Sequence, residues 1–169
     1  MERDAYGETL ATVGVGAVTV GVAAMLLVDG VSLRYLMRVD ATRLSEYVVA
    51  LPRLHTVKSW LTFLLANISG SIWEELVFRY LPYVQFKSQP WLLVVAIIFS
   101  SAIFGMQHIS SGWRQVTYSC ALGCFFSALV WVTGSIWSSL AAHFVGNTFT
   151  LAIARPLLLR KLRGYSAPF

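Results

Sequence analysis

From residue 115 to residue 154 the chain contains no Asp, Glu, Lys or Arg. An α-helix rises about 1.5 Å per residue, so this uncharged stretch is long enough to cross a bilayer core of about 30 Å twice. Thr133, Gly134 and Ser135 are typical turn-forming residues and predict the break between the two crossings. The stretch therefore predicts that the chain folds inside a membrane.

The composition extends this prediction to the whole chain. Of the 169 residues, 57% are hydrophobic and 12% are charged, whereas a soluble domain has about 25% charged residues. We expect residues 1–169 to form a single integral membrane domain, an all-α polytopic bundle of transmembrane helices. The net charge of +5 is not arranged as a basic face with interleaved exposed aromatic residues, so a nucleic-acid partner is not expected.

Five spans are predicted in total. They cover residues 9–28, about 59–81, about 91–108, and the two halves of the uncharged stretch. Pro82 is expected to end the second span, because a proline lacks the N–H group that continues the helix. Small residues recur along the first span, which predicts close packing against another helix; they are Gly7, Ala11, Gly14, Ala17, Gly21 and Ala24.

The segment 31–58 differs from the spans because it contains five basic residues, with apolar residues at helical spacing. This pattern is typical of an amphipathic helix at the membrane surface, and Asp40 is expected to cap its start. With five spans, this segment, Arg114 and the basic tail 155–169 lie on one side. Because basic loops stay in the cytoplasm, we expect the N-terminus outside and the C-terminus in the cytoplasm.

Three charged residues lie within the second span, in the sequence Ser71–Tyr80. A charge at the centre of a bilayer costs about 2.5–3.5 kcal/mol on insertion scales, so such residues pair or act in function. Glu75 and Arg79 are four residues apart and are expected to form an ion pair on one helix face. Glu74 lies about 100° around the helix and has no partner in its own segment. It is the first candidate for a functional acid.

Three more polar side chains, His108, His143 and Asn147, lie in other predicted spans. His143 and Asn147 are four residues apart on one helix face, as are Phe104 and His108. A single intramembrane histidine is equally well explained as a core residue that links two helices. However, polar groups in hydrocarbon seek one another, so we expect this set to converge with Glu74 in one cavity.

Written as motifs, these residues read EExxxR (74–79), FxxxH (104–108) and HxxxN (143–147), in this order on three spans. Over roughly residues 59–151 the sequence resembles the CPBP family of glutamic intramembrane proteases. That family includes the eukaryotic CAAX prenyl endopeptidase and bacterial bacteriocin-processing and immunity proteins. Tyr80 departs from the pattern, since members commonly have glycine there.

The resemblance implies an endopeptidase with its protease core in residues 59–154 and with no cofactor. Glu74 would act with His108 as general base on a water molecule, and His143 and Asn147 would donate hydrogen bonds to the oxyanion. Supporting roles would fall to the remaining motif residues; these are Glu75, Arg79 and Phe104.

The implied partner is a membrane-embedded or membrane-tethered peptide or protein in the lipid bilayer. Prenylated CaaX tails, bacteriocin leader peptides and C-terminal sorting signals all fit this description. The small core favours a prokaryotic processing enzyme in the plasma membrane, where prenylated tails are not expected. Two other functions stay open: a zinc-dependent membrane protease with Glu and His ligands, although HExxH is missing, and a non-enzymatic membrane regulator or scaffold.

Overall fold

The structure is a computed structural model that describes residues 2–51 and 54–165, except the side chains of residues 2–13, 46, 49 and 50. This part of the chain is helical and contains no strand, so the predicted all-α fold is confirmed. The α-helices are α1 (Glu2–Leu36), α2 (Ala41–Ala50), α3 (Val57–Glu75), α4 (Leu81–Phe86), α5 (Pro90–Met106), α6 (Trp113–Thr133), α7 (Ile136–Phe149) and α8 (Arg155–Tyr165). A π-helical turn, Leu76–Tyr80, joins α3 to α4, and a second one, Thr150–Ala154, joins α7 to α8.

Within the described residues, three helical stretches are long and apolar enough to cross a bilayer: Gly14–Leu36, Val57–Phe86 and Trp113–Thr133. Helix α5 is apolar but has 17 residues. Helix α7 has 14 residues and continues through the second π turn into α8. The chain is thus a multi-pass membrane protein, and the number of five crossings stays a prediction.

The first helix continues beyond residue 28, where the first span was predicted to end, and passes through the buried Asp29 to Leu36. The predicted segment 31–58 accordingly contains the end of α1, a turn, helix α2 and the first residues of α3. Asp40 caps α2, as predicted, because its side chain accepts the backbone N–H of Arg43 at 2.9 Å. This hydrogen bond lowers the pKa of the Asp40 carboxyl below its usual value and keeps the cap charged.

Helix α2 is amphipathic, and its apolar face packs against the last helix. Leu44 and Val48 are buried together with Leu158 of α8. The basic tail contributes a second link, because Lys161 Nζ donates hydrogen bonds to the carbonyls of Met37 at 2.7 Å and Val39 at 2.9 Å. These carbonyls lie just beyond the C-terminal end of α1. The partial negative charge at a helix C-terminus favours a cation there, and Lys161 supplies it.

The prediction that Pro82 ends the second span is wrong. The helix changes from α to π over Leu76–Tyr80, returns to α and reaches Phe86. In an α-helix the ring of Pro82 would clash with the carbonyl four residues earlier. The π turn just before the proline is wider, with the Leu81 N–H bonded to the Leu76 carbonyl, and it lets the helix continue.

Helices α1 and α7 approach each other closely at Ala17 and Gly21, which confirms the packing predicted from small residues for this part of α1. A Cβ atom at Gly14 would have nothing within 4 Å, so the prediction is wrong there. A Cβ atom at Gly21 would collide with the backbone carbonyl of Ser138, and Ala17 is buried. The burial of Gly7 and Ala11 lies outside the described part of the structure. An apolar cluster forms between α1, α6 and α7; its buried members are Met25, Phe126, Leu129 and Ala142.

The turn at Thr133–Ser135 was also predicted correctly. Helix α6 ends at Thr133, and Gly134 adopts a φ of +65°, a left-handed conformation that glycine adopts without strain. Ser135 then caps α7, with its hydroxyl accepting the N–H of Trp137 at 3.3 Å. This short connection turns the chain back and brings α7 against α6 and α3.

Candidate active site

A stripe of polar side chains runs along one face of α3 into the π turn. Asn67, Ser71, Glu75 and Arg79 follow one another at intervals of four residues, and each is at least nine-tenths buried. Asn67 and Ser71 were not predicted as site residues. The four-residue spacing from Glu75 was the signal that could have identified them, because residues four apart share a helix face.

Glu75 and Arg79 form the predicted ion pair, with 3.6 Å between Oε1 and Nη1 and at most 1% of either side chain exposed. The same Nη1 donates to the backbone carbonyl of Glu74 at 3.4 Å, across the π turn. The Arg79 guanidinium also lies 3.9 Å from the ring centre of Phe104. This cation–π contact stabilises a charge that has been removed from water.

His143 of α7 bridges the two glutamates. Its Nδ1 lies 2.7 Å from Glu75 Oε1, and its Nε2 lies 3.5 Å from Glu74 Oε2. An ionised carboxylate can only accept, so Nδ1–H donates to Glu75, and this hydrogen bond directs Nε2 towards Glu74. Glu74 therefore has a partner on another helix, although it has none on its own.

Two aromatic rings fix the imidazole of His143 between them. Phe126 of α6 is stacked on it, with ring centres 5.0 Å apart and an angle of 19° between the planes. Phe104 of α5 meets it edge-on at 6.2 Å. Phe104 thus contacts Arg79, His143 and, at 5.2 Å, the ring of His108. Its position as the common neighbour explains its place among the motif residues.

His108 follows the end of α5, in the turn before α6. Its Nδ1 lies 3.1 Å from the backbone carbonyl of Phe104. A carbonyl only accepts, so Nδ1 carries the hydrogen, and in the neutral imidazole Nε2 keeps a lone pair. His108 thereby satisfies a carbonyl in the last turn of α5 and retains an acceptor for a further group.

Asn147 lies one turn beyond His143 on α7 and is held by the polar stripe of α3. Its Nδ2 donates to Asn67 Oδ1 at 2.8 Å. Asn67 in turn donates to Thr148 Oγ1 at 3.4 Å and accepts from Ser71 at 3.2 Å. Because an amide nitrogen carries two hydrogens, Asn147 keeps one donor beyond its bond to Asn67.

A cavity of about 300 Å³, which we call the central cavity, brings His108, His143 and Asn147 together. Its other walls are mainly apolar and aromatic and include Met25, Tyr47, Phe63, Tyr118, Leu122 and Phe126. Glu74 is not among the residues that line this cavity, so the expected convergence with Glu74 in one cavity holds only for the other three. Glu74 contacts the group through His143. No group of three or more His, Cys, Asp or Glu side chains among the described residues is arranged to hold a metal ion.

The Rce1-like family, described as type II CAAX prenyl endopeptidases, matches residues 56–149 of this chain. This range is more than half of the chain and contains all three motifs. The searches of curated proteins and of solved structures found no match.

Proposed function

Because the chain belongs to the Rce1-like family of type II CAAX prenyl endopeptidases, we propose that it is a glutamic intramembrane endopeptidase. Membership of this protease family supports the peptidase activity. The observation that carries the glutamic mechanism is the histidine bridge, in which His143 contacts both Glu74 and Glu75 at the edge of the central cavity. Two acids on one helix thereby contact the two different ring nitrogens of one imidazole.

In this mechanism Glu74 is the general base. Its side chain is 27% exposed, whereas that of Glu75 is fully buried and already engaged by Arg79. Of the two acids, Glu74 is therefore the more accessible to a water molecule. Glu74 takes one proton of the water, and the lone pair on Nε2 of His108 accepts the hydrogen bond from the other. The oxygen attacks the carbonyl carbon of the peptide bond.

His143 and Asn147 stabilise the oxyanion that this attack creates. Both line the central cavity, and each can direct an N–H towards it: Nε2–H of a protonated His143, and the second amide hydrogen of Asn147. The C–N bond then breaks as Glu74 returns its proton to the leaving amine, and the acyl fragment leaves as a carboxylic acid. No protein nucleophile and no cofactor take part.

Glu75, Arg79 and Phe104 are positioning residues in this mechanism. Glu75 fixes the orientation of His143 through Nδ1, and Arg79 neutralises Glu75. Phe104 lies against the guanidinium and both histidines. Such supporting contacts matter because catalysis needs its groups held in one arrangement before the substrate arrives.

The substrate we propose is a membrane-embedded or membrane-tethered peptide that enters the central cavity from the bilayer. The walls of the cavity support an apolar or lipid-bearing segment, since they are rich in Leu, Met and aromatic side chains. The family description names CAAX prenyl substrates. Bacteriocin leader peptides and C-terminal sorting signals also belong to membrane-tethered precursors, so they remain candidate substrates.

The proposal is tested by cleavage in proteoliposomes. The purified chain is mixed with lipid-tethered peptides that include a prenylated CaaX peptide, and products are identified by mass spectrometry. We expect one defined cut that continues in the presence of a chelator and is lost in Glu74→Gln. Loss of cleavage on chelation would indicate a zinc-dependent protease. No cleavage of any tethered peptide by well-folded protein would favour a regulator or scaffold.

A further inference from the structure

Asp29 is a buried carboxyl group of α1 that the proposed mechanism does not use. It is 4% exposed and lies in the stretch of α1 that is long and apolar enough to cross a bilayer. Its Oδ2 has no hydrogen-bond partner, and no Lys, Arg or His side chain that the structure describes forms an ion pair with it. Buried charges in proteins are paired or coordinate a metal ion. An ionisable residue inside a membrane is therefore expected to have a functional partner.

The packing of α1 on α7 locates Asp29 beside the central cavity. An added Cβ atom at Gly21 of α1 would collide with Ser138 of α7. One at Gly146 of α7 would collide with Met25 of α1, further along both helices, so the two helices run in the same direction. Residues four apart share a helix face, so Asp29 lies one turn beyond Met25 on this interface. Met25 lines the central cavity and Asp29 does not, so Asp29 is buried behind the lining residues.

Two tyrosines lie near the Asp29 carboxyl. Its charge acts on Tyr47 of α2 and on Tyr118 of α6, and the two phenols also act on each other. Tyr47 interacts with the hydroxyl group of Thr150 as well. Tyr118 interacts with that of Ser32, which follows Asp29 by three residues on α1. These five residues, which we call the Asp29 cluster, come from α1, α2, α6 and the second π turn, and their side-chain polar atoms are all oxygen.

We propose that the Asp29 cluster binds a sodium ion, with the Asp29 carboxylate and neighbouring hydroxyl groups as its ligands. Small hard cations are bound by oxygen atoms, whereas transition metals favour the nitrogen and sulfur ligands that this cluster does not contain. One carboxylate balances the charge of one monovalent ion. A divalent ion would leave an uncompensated charge in a buried position, which is costly.

The proposed ion has a structural role. It joins α1, α2, α6 and the second π turn, and three of its surrounding residues, Tyr47, Tyr118 and Thr150, also line the central cavity. Binding to the folded protein alone stabilises the fold in proportion to the logarithm of the ion concentration. The ion takes no part in peptide cleavage, so this inference is independent of the proposed function.

The test measures thermal unfolding of the purified, detergent-solubilised protein in sodium, potassium and choline chloride at one total chloride concentration. The wild type is compared with Asp29→Asn, which keeps the shape of the side chain and removes its charge. Asp40→Asn is the matched control, because Asp40 is an exposed acid outside the cluster and asparagine still caps a helix. Tyr118→Phe removes one proposed hydroxyl ligand and keeps the ring.

We expect sodium to raise the unfolding temperature of the wild type by about 3–6 °C when its concentration is about tenfold above its Kd. Asp40→Asn should show the same rise, and Asp29→Asn none. Tyr118→Phe should need about three- to tenfold more sodium for the same rise, the usual effect of one lost polar contact. An equal rise in potassium or choline chloride, or an undiminished rise in Asp29→Asn, would overturn the proposal.

Direct binding keeps the proposal testable if Asp29→Asn does not fold. Radioactive sodium is added to the wild type, and bound ion is measured by scintillation proximity with unlabelled sodium as competitor. We expect saturable binding of one ion per chain, whether or not the protein cuts any peptide. Absence of bound sodium in the folded wild type would overturn the proposal and indicate that a proton neutralises Asp29 instead.

Discussion

At the scale of single residues, the site depends on contacts within one helix and contacts between helices. The pair Glu75–Arg79 follows from the spacing of four residues and was predicted from the sequence alone. The bridge from His143 to both glutamates joins α7 to α3 across 68 positions of the chain. No local spacing encodes such a contact. The sequence therefore indicates which polar residues belong together but not which of them touch.

Glu75→Gln is expected to reduce stability before it reduces activity. It leaves Arg79 buried without its counter-charge, and removal of one partner of a buried pair costs about 3–5 kcal/mol in soluble proteins. Replacing Arg79 by Gln as well should restore part of this loss. Thermal unfolding of the detergent-solubilised single and double variants measures both effects. Unfolding of Glu75→Gln at the wild-type temperature would contradict the role of the ion pair.

Asn147→Ala should lower kcat by about 10²–10³-fold, the usual cost of removing one donor to an oxyanion. KM and the unfolding temperature should change little, because the Asn147 side chain is exposed and its partner Asn67 keeps its contacts to α7. Ser71→Ala is the matched control, since Ser71 belongs to the same hydrogen-bond chain but not to the cavity wall. Wild-type kcat in Asn147→Ala would remove this residue from the mechanism.

At the scale of helices, rules based on a residue and its near neighbours predicted some boundaries and missed others. Asp40 caps α2, and Gly134 separates α6 from α7, because both effects act within a few residues. The end of the second span was missed because the π turn at Leu76–Tyr80 lets the helix continue past Pro82. That turn also contains Arg79, which pairs with the Glu75 carboxylate and donates to the backbone carbonyl of Glu74. The irregular part of the helix is therefore part of the site.

The close approach of α1 and α7 can be tested with two glycines of the same helix. A methyl group at Gly21 meets the Ser138 backbone, which cannot move aside as a side chain can, whereas nothing lies within 4 Å of one at Gly16. Gly21→Ala should therefore destabilise the protein by about 1–3 kcal/mol. Gly16→Ala should be neutral or stabilising by up to about 1 kcal/mol. Equal unfolding temperatures for both variants would contradict the packing of α1 on α7.

At the scale of the whole molecule, the membrane fold followed from the long uncharged stretches. A helix satisfies its own backbone N–H and C=O groups and can therefore be buried in lipid. The convergence of the three motifs was predicted from the cost of leaving polar groups alone in hydrocarbon. The cavity of about 540 Å³ that Arg43 and Arg114 line was not predicted, because its lining residues come from distant parts of the chain.

The orientation in the membrane is a prediction at this scale. Single cysteines at Gln89 and Arg163, both exposed, are introduced into a chain in which Cys120 and Cys124 have been replaced by Ala. With five spans and basic loops in the cytoplasm, a membrane-impermeant maleimide should label residue 89 in intact cells and residue 163 only after lysis. Labelling of both residues from the same side would contradict five crossings.

The central claim is that Glu74 is the acid that activates water, and single-turnover cleavage by Glu74→Gln tests it most directly. Glutamine keeps the shape of the side chain but cannot take a proton, so the rate constant should fall by at least the 10²–10⁴-fold typical of a lost general base. The unfolding temperature should stay near that of the wild type, because Glu74 is partly exposed and outside the buried ion pair. Cleavage within tenfold of wild type by Glu74→Gln, together with folded but inactive Glu75→Gln, would contradict the account and assign the reacting acid to Glu75.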